Sequence, residues 1–341
     1  MRGNYLSAII LAGMMALAAT AASAQPAADW DAVIAAAKRE GQVVVYSTYM
    51  SPKTHQAVGD AFEKKYGIRV ELLQGRGEIR ERVRIEQASG RYLGDVLHTA
   101  ITVAVRARDE NHSLQQLGPM PGLARLKPEF KRRADDYMAP IFTINYGILV
   151  NTRLVKRGEE PQGWHDLLDP KWKGKILADD PRASGGGRVM FHMTYDKFGR
   201  AFQEKLATQE LAFARDYQES VRRVARGEYP IYVPFILSEA ANLRGLPVTY
   251  VVPREGVTYG SYASTILKNP PHPNAARLMA DFYLSDEAQA VYARSGHGIT
   301  IMDLAEKLPP EIEKLANAPP LVDEDFTRID EMFAHAREIY K

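Results

Sequence analysis

The run Ser184-Gly185-Gly186-Gly187-Arg188 is the stretch whose residue types point most directly to chemistry. It lies between an apolar run at Lys175-Ile176-Leu177-Ala178 and a helical pattern that starts near Arg188. Glycine lets successive backbone N–H groups turn into one concavity, and the first turn of a helix adds donors that have no partner inside the helix. Such a cradle takes carboxylate or phosphate oxygens, and Arg182 and Arg188 would add forked, charge-assisted hydrogen bonds. Glycines would also suit an exposed loop, but placement between a strand and a helix favours the anion. The run does not end in Gly-Lys-Ser/Thr, so it is no Walker loop. Gly75-Arg76-Gly77-Glu78-Ile79-Arg80 lacks the third glycine of a dinucleotide fingerprint.

Catalytic patterns are missing from the same sequence. No His-Glu-x-x-His and no Gly-x-Ser-x-Gly occurs, and His98, His192 and His297 read as scattered structural or surface residues. No enzyme and no cofactor are expected. Cysteine is absent, which excludes disulfides, cysteine–zinc sites, iron–sulfur ligation and thiol chemistry together. Lys+Arg 44 against Asp+Glu 42 gives a formal charge of +2, so no broad basic field would draw the chain to nucleic acid.

The elements that must position the glycine run follow from hydrophobic periodicity over 341 residues, 45% of them hydrophobic. Met1 to Gln25 has a positive start, a short apolar core and a small-x-small exit, which together predict a signal peptide over 1–24, cut after Ala24, and export to the periplasm. From Asp29 helical and β-branched segments alternate. A helix from Trp30 ends at Gly41, Val43 to Tyr46 is a buried strand, and Ser51-Pro52 opens a helix that Gly67 closes. A strand over Ile68–Leu73, a helix over Glu78–Ser89 and a strand at Asp95–Leu97 complete a β-α-β-α-β succession. A second such unit starts at Ile141–Asn151 and runs through Lys175–Ala178, Tyr229–Phe235 and Val248–Pro253. Beyond Tyr259 the pattern turns helical, over 274–283, 286–293 and 323–340. Two α/β lobes result, with ligand loops at the strand C-terminal ends. In the first lobe those loops carry Thr48, Arg76 and Thr99, hydroxyls and a cation that suit a ligand with anionic and hydroxyl groups.

The segment Gly163-Trp164-His165-Asp166-Leu167-Leu168-Asp169-Pro170-Lys171-Trp172-Lys173-Gly174-Lys175, followed by Asp179-Asp180-Pro181, resembles the solute-binding proteins of ABC importers of the ferric-iron type. Val43-Val44-Val45-Tyr46-Ser47, Phe62-Glu63-Lys64-Lys65-Tyr66-Gly67-Ile68 and Gly94-Asp95-Val96 agree with it. The resemblance implies an α/β, two-lobed periplasmic-binding-protein fold with two hinge strands. One lobe would hold residues 25–140 and 263–341, the other 141–262. It also implies a ligand between the lobes and an inner-membrane ABC permease as partner of a monomer. Tyr146 would then lie in the hinge, and Phe235, Tyr259 and Tyr262 would wall the cleft, with Ser184, Gly185, Gly186 and Arg182 beneath the ligand. The iron-binding members carry adjacent tyrosines after a Gly-Glu turn. Here Gly227-Glu228 leads to Leu237-Ser238, and no Tyr-Tyr pair occurs in the sequence. Ferric iron needs anionic oxygen ligands, so the expected cargo is a small organic anion, phosphorylated, phosphonate or carboxylate. Ferric iron held by another ligand set, and a sensing role beside a membrane receptor kinase, stay open as alternatives.

Overall fold

The computed structural model describes residues 30–49, 51–75, 77–131, 134–323 and 325–341; the expected signal peptide 1–24 and Arg76 lie outside the described residues. Helix α1 (Trp30–Glu40), strand β1 (Gln42–Ser47), α2 (Pro52–Tyr66), β2 (Arg69–Gln74), α3 (Gly77–Ala88), β3 (Val96–Ala100) and α4 (Ile101–Asp109) build most of the first lobe. Short β4 (Leu114–Gln115) and α5 (Pro128–Lys131) lead to the long strand β5 (Met138–Asn151). The second lobe follows with β6 (Ile176–Asp179), α6 (Gly186–Phe198), α7 (Arg200–Ala207), β7 (Ala212–Ala214), α8 (Tyr217–Arg226), β8 (Ile231–Ile236) and β9 (Val248–Val251). Strand β10 (Thr258–Leu267) returns to the first lobe. Then come α9 (Pro273–Phe282), α10 (Asp286–Arg294), β11 (Gly298–Ile299), α11 (Pro310–Ala316) and α12 (Ile329–Ile339). Among the described residues no helix is long and apolar enough to cross a membrane.

One sheet runs through both lobes in the order β2-β1-β3-β10-β5-β8-β6-β7. Strand β1 is parallel to β2 and β3, and its Val43-Val44-Val45-Tyr46 run is buried, as a strand covered on both faces requires. Helix α2 stops where Gly67 takes φ +71° and its N–H reaches the Glu63 carbonyl. Strand β10 is antiparallel to both β3 and β5. This strand replaces the helical expectation just beyond Tyr259: residues Thr258 to Leu267, mostly small with Tyr259 and Tyr262 among them, are held extended by pairing on both edges, and the helices begin only at Pro273.

Helices α9 and α10 pack on α1 and α2, whereas α12 packs on α6 and α7. Met332, Ala336 and Tyr340 bury themselves with Phe191 there, so the expected assignment of all of 263–341 to the first lobe does not hold for α12. The tryptophan segment has a structural role. Trp164 is fully buried and its indole N–H donates to the Gly256 carbonyl at 2.9 Å, while Asp166 holds Arg254 in a two-pronged pair.

Asp95 knots the first lobe. It is fully buried, accepts the Val44 N–H at 2.7 Å and the His272 N–H at 2.8 Å, and meets His272 Nδ1 at 2.8 Å. Gly94 beside it leaves no room for a Cβ, which would fall 2.7 Å from the Tyr46 ring. Behind this lobe's ligand loops the expected scatter of histidines is replaced by a cluster. Ser47 Oγ lies 2.9 Å from both His55 Nε2 and His98 Nδ1, and the Tyr49 hydroxyl meets His297 Nε2. Separation in sequence hid this grouping: the three imidazoles come from α2, β3 and the turn before β11.

Two predictions follow from these buried groups. Asp95→Ala strands three polar partners and should cost about 3 kcal/mol of stability in urea unfolding, with Asp95→Asn costing less. Burial lowers the His55 imidazole to about 4 and His297 to about 3, and holds His98 well below its ordinary value. The unfolded chain binds these protons near pH 6.5, so the histidines' contribution is complete above that pH and is lost as pH falls toward 4, about 2 kcal/mol each for His55 and His297 at pH 5. Asp179, raised to about 6 by burial, opposes this trend, as do Asp95 and Asp281, which burial also raises. The urea midpoint should therefore drop between pH 7 and pH 5; a flat profile would show that the imidazoles are not buried in neutral form.

Candidate ligand-binding cleft

The start of α6 is fixed by close approach. A Cβ on Gly187 would sit 2.5 Å from the Asp179 carbonyl oxygen, so only glycine lets the helix begin against the end of β6. Gly185 has φ +146°, a backbone conformation that side-chain-bearing residues rarely adopt, and no atom lies within 4 Å of the point where its Cβ would be. The turn before it is shaped by Asp180, whose carboxylate accepts the Arg182 N–H at 3.0 Å.

In front of this turn, between the lobes, lies a cavity of about 400 Å³. The second lobe contributes Ser184, Gly185 and Arg188 to its lining. The hinge strands contribute Ile144 and Tyr146 from β5 and Ser261 and Tyr262 from β10. The first lobe contributes Arg80 from α3 and Thr102, Val103 and Arg106 from α4. Phe326, Ile329 and Phe333 close the remaining side. Arg188, at the start of α6, is buried at 9% exposed and lines the cavity. The one carboxylate among the described lining residues, Glu110, lies 3.9 Å from Arg106 Nε. The wall is thus cationic on balance. Among the described residues no group of three or more His, Asp or Glu side chains is placed to hold a metal ion.

The structure gathers Tyr146, Tyr262, Ser184 and Gly185 around this cavity. Tyr262 stacks on Phe142 with ring centroids 4.9 Å apart and planes at 7°, and its edge meets Tyr49. Gly186 is buried behind the lining, where a Cβ would fall 3.1 Å from the Tyr146 ring and 3.0 Å from Pro234. Thr48 and Thr99 face each other, hydroxyl to hydroxyl at 2.7 Å, and the cavity wall passes to Ala100 and Thr102 instead.

Three expectations are corrected. Arg182 turns to its own lobe: Nε donates to Asp180 at 2.8 Å, a terminal nitrogen donates to the Tyr340 carbonyl at 2.9 Å, and the guanidinium lies 5.0 Å from the Phe213 ring centroid. The carboxylate two residues earlier in the same turn captures it. Phe235 is fully buried in the second lobe's core near Tyr217 and Tyr250, because its side chain points inward from β8. Tyr259 is buried, meets Phe130 edge-on and lines a different cavity of about 330 Å³.

Sequence reasoning missed Arg80, Arg106, Thr102 and Ser261. Helix α4 was hidden by its opening Ile-Thr-Val-Ala-Val, which reads as a strand, and by Ala100, which offers no side-chain cap. The Phe326, Ile329 and Phe333 face had a readable signal in its spacing of three and four residues.

Residues 99–326 match the family described as bacterial extracellular solute-binding protein. A putative 2-aminoethylphosphonate-binding periplasmic protein of Salmonella typhimurium is 23% identical over 263 residues, 72% of this chain and 74% of its own. The periplasmic binding protein AfuA of Actinobacillus pleuropneumoniae, solved with fructose-6-phosphate bound, has 23% identity and a TM-score of 0.63, covering 88% of this chain and 96% of its own. Trichodesmium IdiA (FutA), in complex with iron and citrate, has 19% identity and a TM-score of 0.73 over 88% of this chain and 100% of its own. The chain thus belongs to the bacterial extracellular solute-binding protein family, the substrate-binding components of ABC importers, and has the two-lobed fold of the ferric-binding type.

Proposed function

We propose that the protein captures a small organic anion in the periplasm, holds it between the lobes, and presents the closed form to an ABC permease in the inner membrane. The observation that carries this reading is the convergence on one cavity of Arg188 at the start of α6, Arg80 and Arg106 from the opposite lobe, and the Ser184-Gly185 turn. A ligand that touches both lobes only when they close shifts the open–closed equilibrium by its differential affinity. Moving that equilibrium from mostly open to mostly closed takes about 5.5 kcal/mol. Two or three charge-assisted hydrogen bonds, at roughly 1.5–3 kcal/mol each, supply that amount. Tyr146 and Tyr262 add hydroxyl donors and ring faces from the hinge, and a monomer suffices for the whole site.

The donor chemistry favours an organic anion over ferric iron as cargo. Three guanidinium groups in the lining repel a bare cation, and the carboxylate that could hold one lies beside Arg106. The relatives named for a phosphonate and solved with a sugar phosphate support the same class. No reaction is assigned to the site: capture and release need no nucleophile, and a closed cleft that binds an intact anion is complete as a carrier.

Calorimetry with phosphate monoesters, 2-aminoethylphosphonate, citrate and ferric citrate tests the reading. Arg188→Ala should weaken binding of the preferred anion about 10- to 100-fold, the value of one charge-assisted contact, and Arg188→Gln should do nearly the same. Arg182→Ala should leave affinity unchanged, since Asp180 and Tyr340 already hold that side chain. Unchanged affinity in both Arg188 variants, or a visible phenolate band on adding ferric salt, would defeat the anion reading.

A further inference from the structure

Helix α12 carries two apolar stripes. Met332, Ala336 and Tyr340 form the first, buried against α6. Ile329 and Phe333 form the second. With Phe326 from the turn just before the helix, they line the interlobe cavity and stay partly exposed to it. Docking a helix on its lobe needs one such stripe. The second stripe is carbon surface turned toward a space that also holds Arg188. Val103, from α4 in the first lobe, adds to the same apolar wall.

The cavity's volume of about 400 Å³ leaves ample room beyond one phosphate or carboxylate group. A polyol body placed there would set hydroxyl groups against Ile329 and Phe333, which accept no hydrogen bond, at the cost of its hydration. A flat apolar body would instead bury both its own surface and theirs.

From this division of the lining we infer that the cargo is an anion with an aromatic body, such as an aryl phosphate, with the acidic group at Arg188 and the ring against Ile329, Phe333 and Phe326. The inference rests on the anion reading above and narrows it from organic anions at large to aromatic ones.

Calorimetry with three probes that share one headgroup separates the two ideas: phenyl phosphate, glycerol 3-phosphate and inorganic phosphate. Phenyl phosphate should bind at least about tenfold more tightly than glycerol 3-phosphate, as burial of a ring requires. Phe333→Ser and Ile329→Ser should bring that ratio close to one, and Phe333→Leu, which keeps the packing volume, should retain most of the preference. Glycerol 3-phosphate binding as tightly as phenyl phosphate, or a preference that survives Phe333→Ser, would overturn the aromatic inference and leave the anion reading standing. Failure of all three probes to bind would overturn the aryl phosphate assignment, while the anion reading would still be decided by the phosphonate and citrate titrations above.

Discussion

Strand β5 changes partners at Tyr146. On one side of this residue the strand pairs with β10, and on the other with β8 and β9. A single stretch of backbone is therefore shared by two lobes, and each lobe closes its own core against its own half of the strand. The cleft exists because the lobes separate at this changeover and nowhere else along the sheet. Tyr146, Ile144, Ser261 and Tyr262 face the cavity because they sit on the two strands that cross there. Most of the rest of the cavity lining comes from α3, α4, the start of α6 and the segment from Phe326 to Phe333, elements carried on either side of these strands. The closure proposed above would need only small dihedral changes in these two strands.

The start of α6 shows how backbone packing creates chemistry. Gly187 lets the helix approach β6 to a distance that any larger residue would prevent, and Gly185 supplies the reversal that exposes Ser184 to the cleft. Arg188 then lines the cavity from the first turn of the helix. Asp180, in the same loop, removes Arg182 from competition and stiffens the turn through its own backbone contacts. Two arginines six residues apart thereby take different places, one held within its own lobe and one lining the cavity.

Much of the first lobe was legible in the sequence, because its signals are local. Gly41 and Gly67 end helices, Val43-Val44-Val45-Tyr46 is too apolar for a wetted strand, and the glycine run marks a strand-to-helix turn. What escaped notice depends on partners distant in the chain. Strand β10 has a weak local preference and is held extended by β3 and β5. Helix α4 reads as a strand until the cleft gives it a face to cover. Phe235 and Tyr259 have the right residue type for a binding wall, and only the inward or outward sense of their strands decides otherwise. The direction of a side chain at a loop or strand end is set by its neighbours in space, which is why Arg182 and Arg188 could not be told apart by composition.

The segment from Phe326 to Tyr340 touches both halves of the molecule. Phe326 rests on Ile101, Ala104, Met138 and Ala263 of the first lobe, while Arg328 pairs with Asp196 at 2.6 Å and Met332 packs into the second. Parting the lobes must either peel that phenyl ring from its greasy seat or pull the helix off its mooring. In the proposed capture cycle, release of the cargo would therefore be opposed by a patch of carbon that need not touch the charged group at all, which would let residence time and selectivity be set at different places.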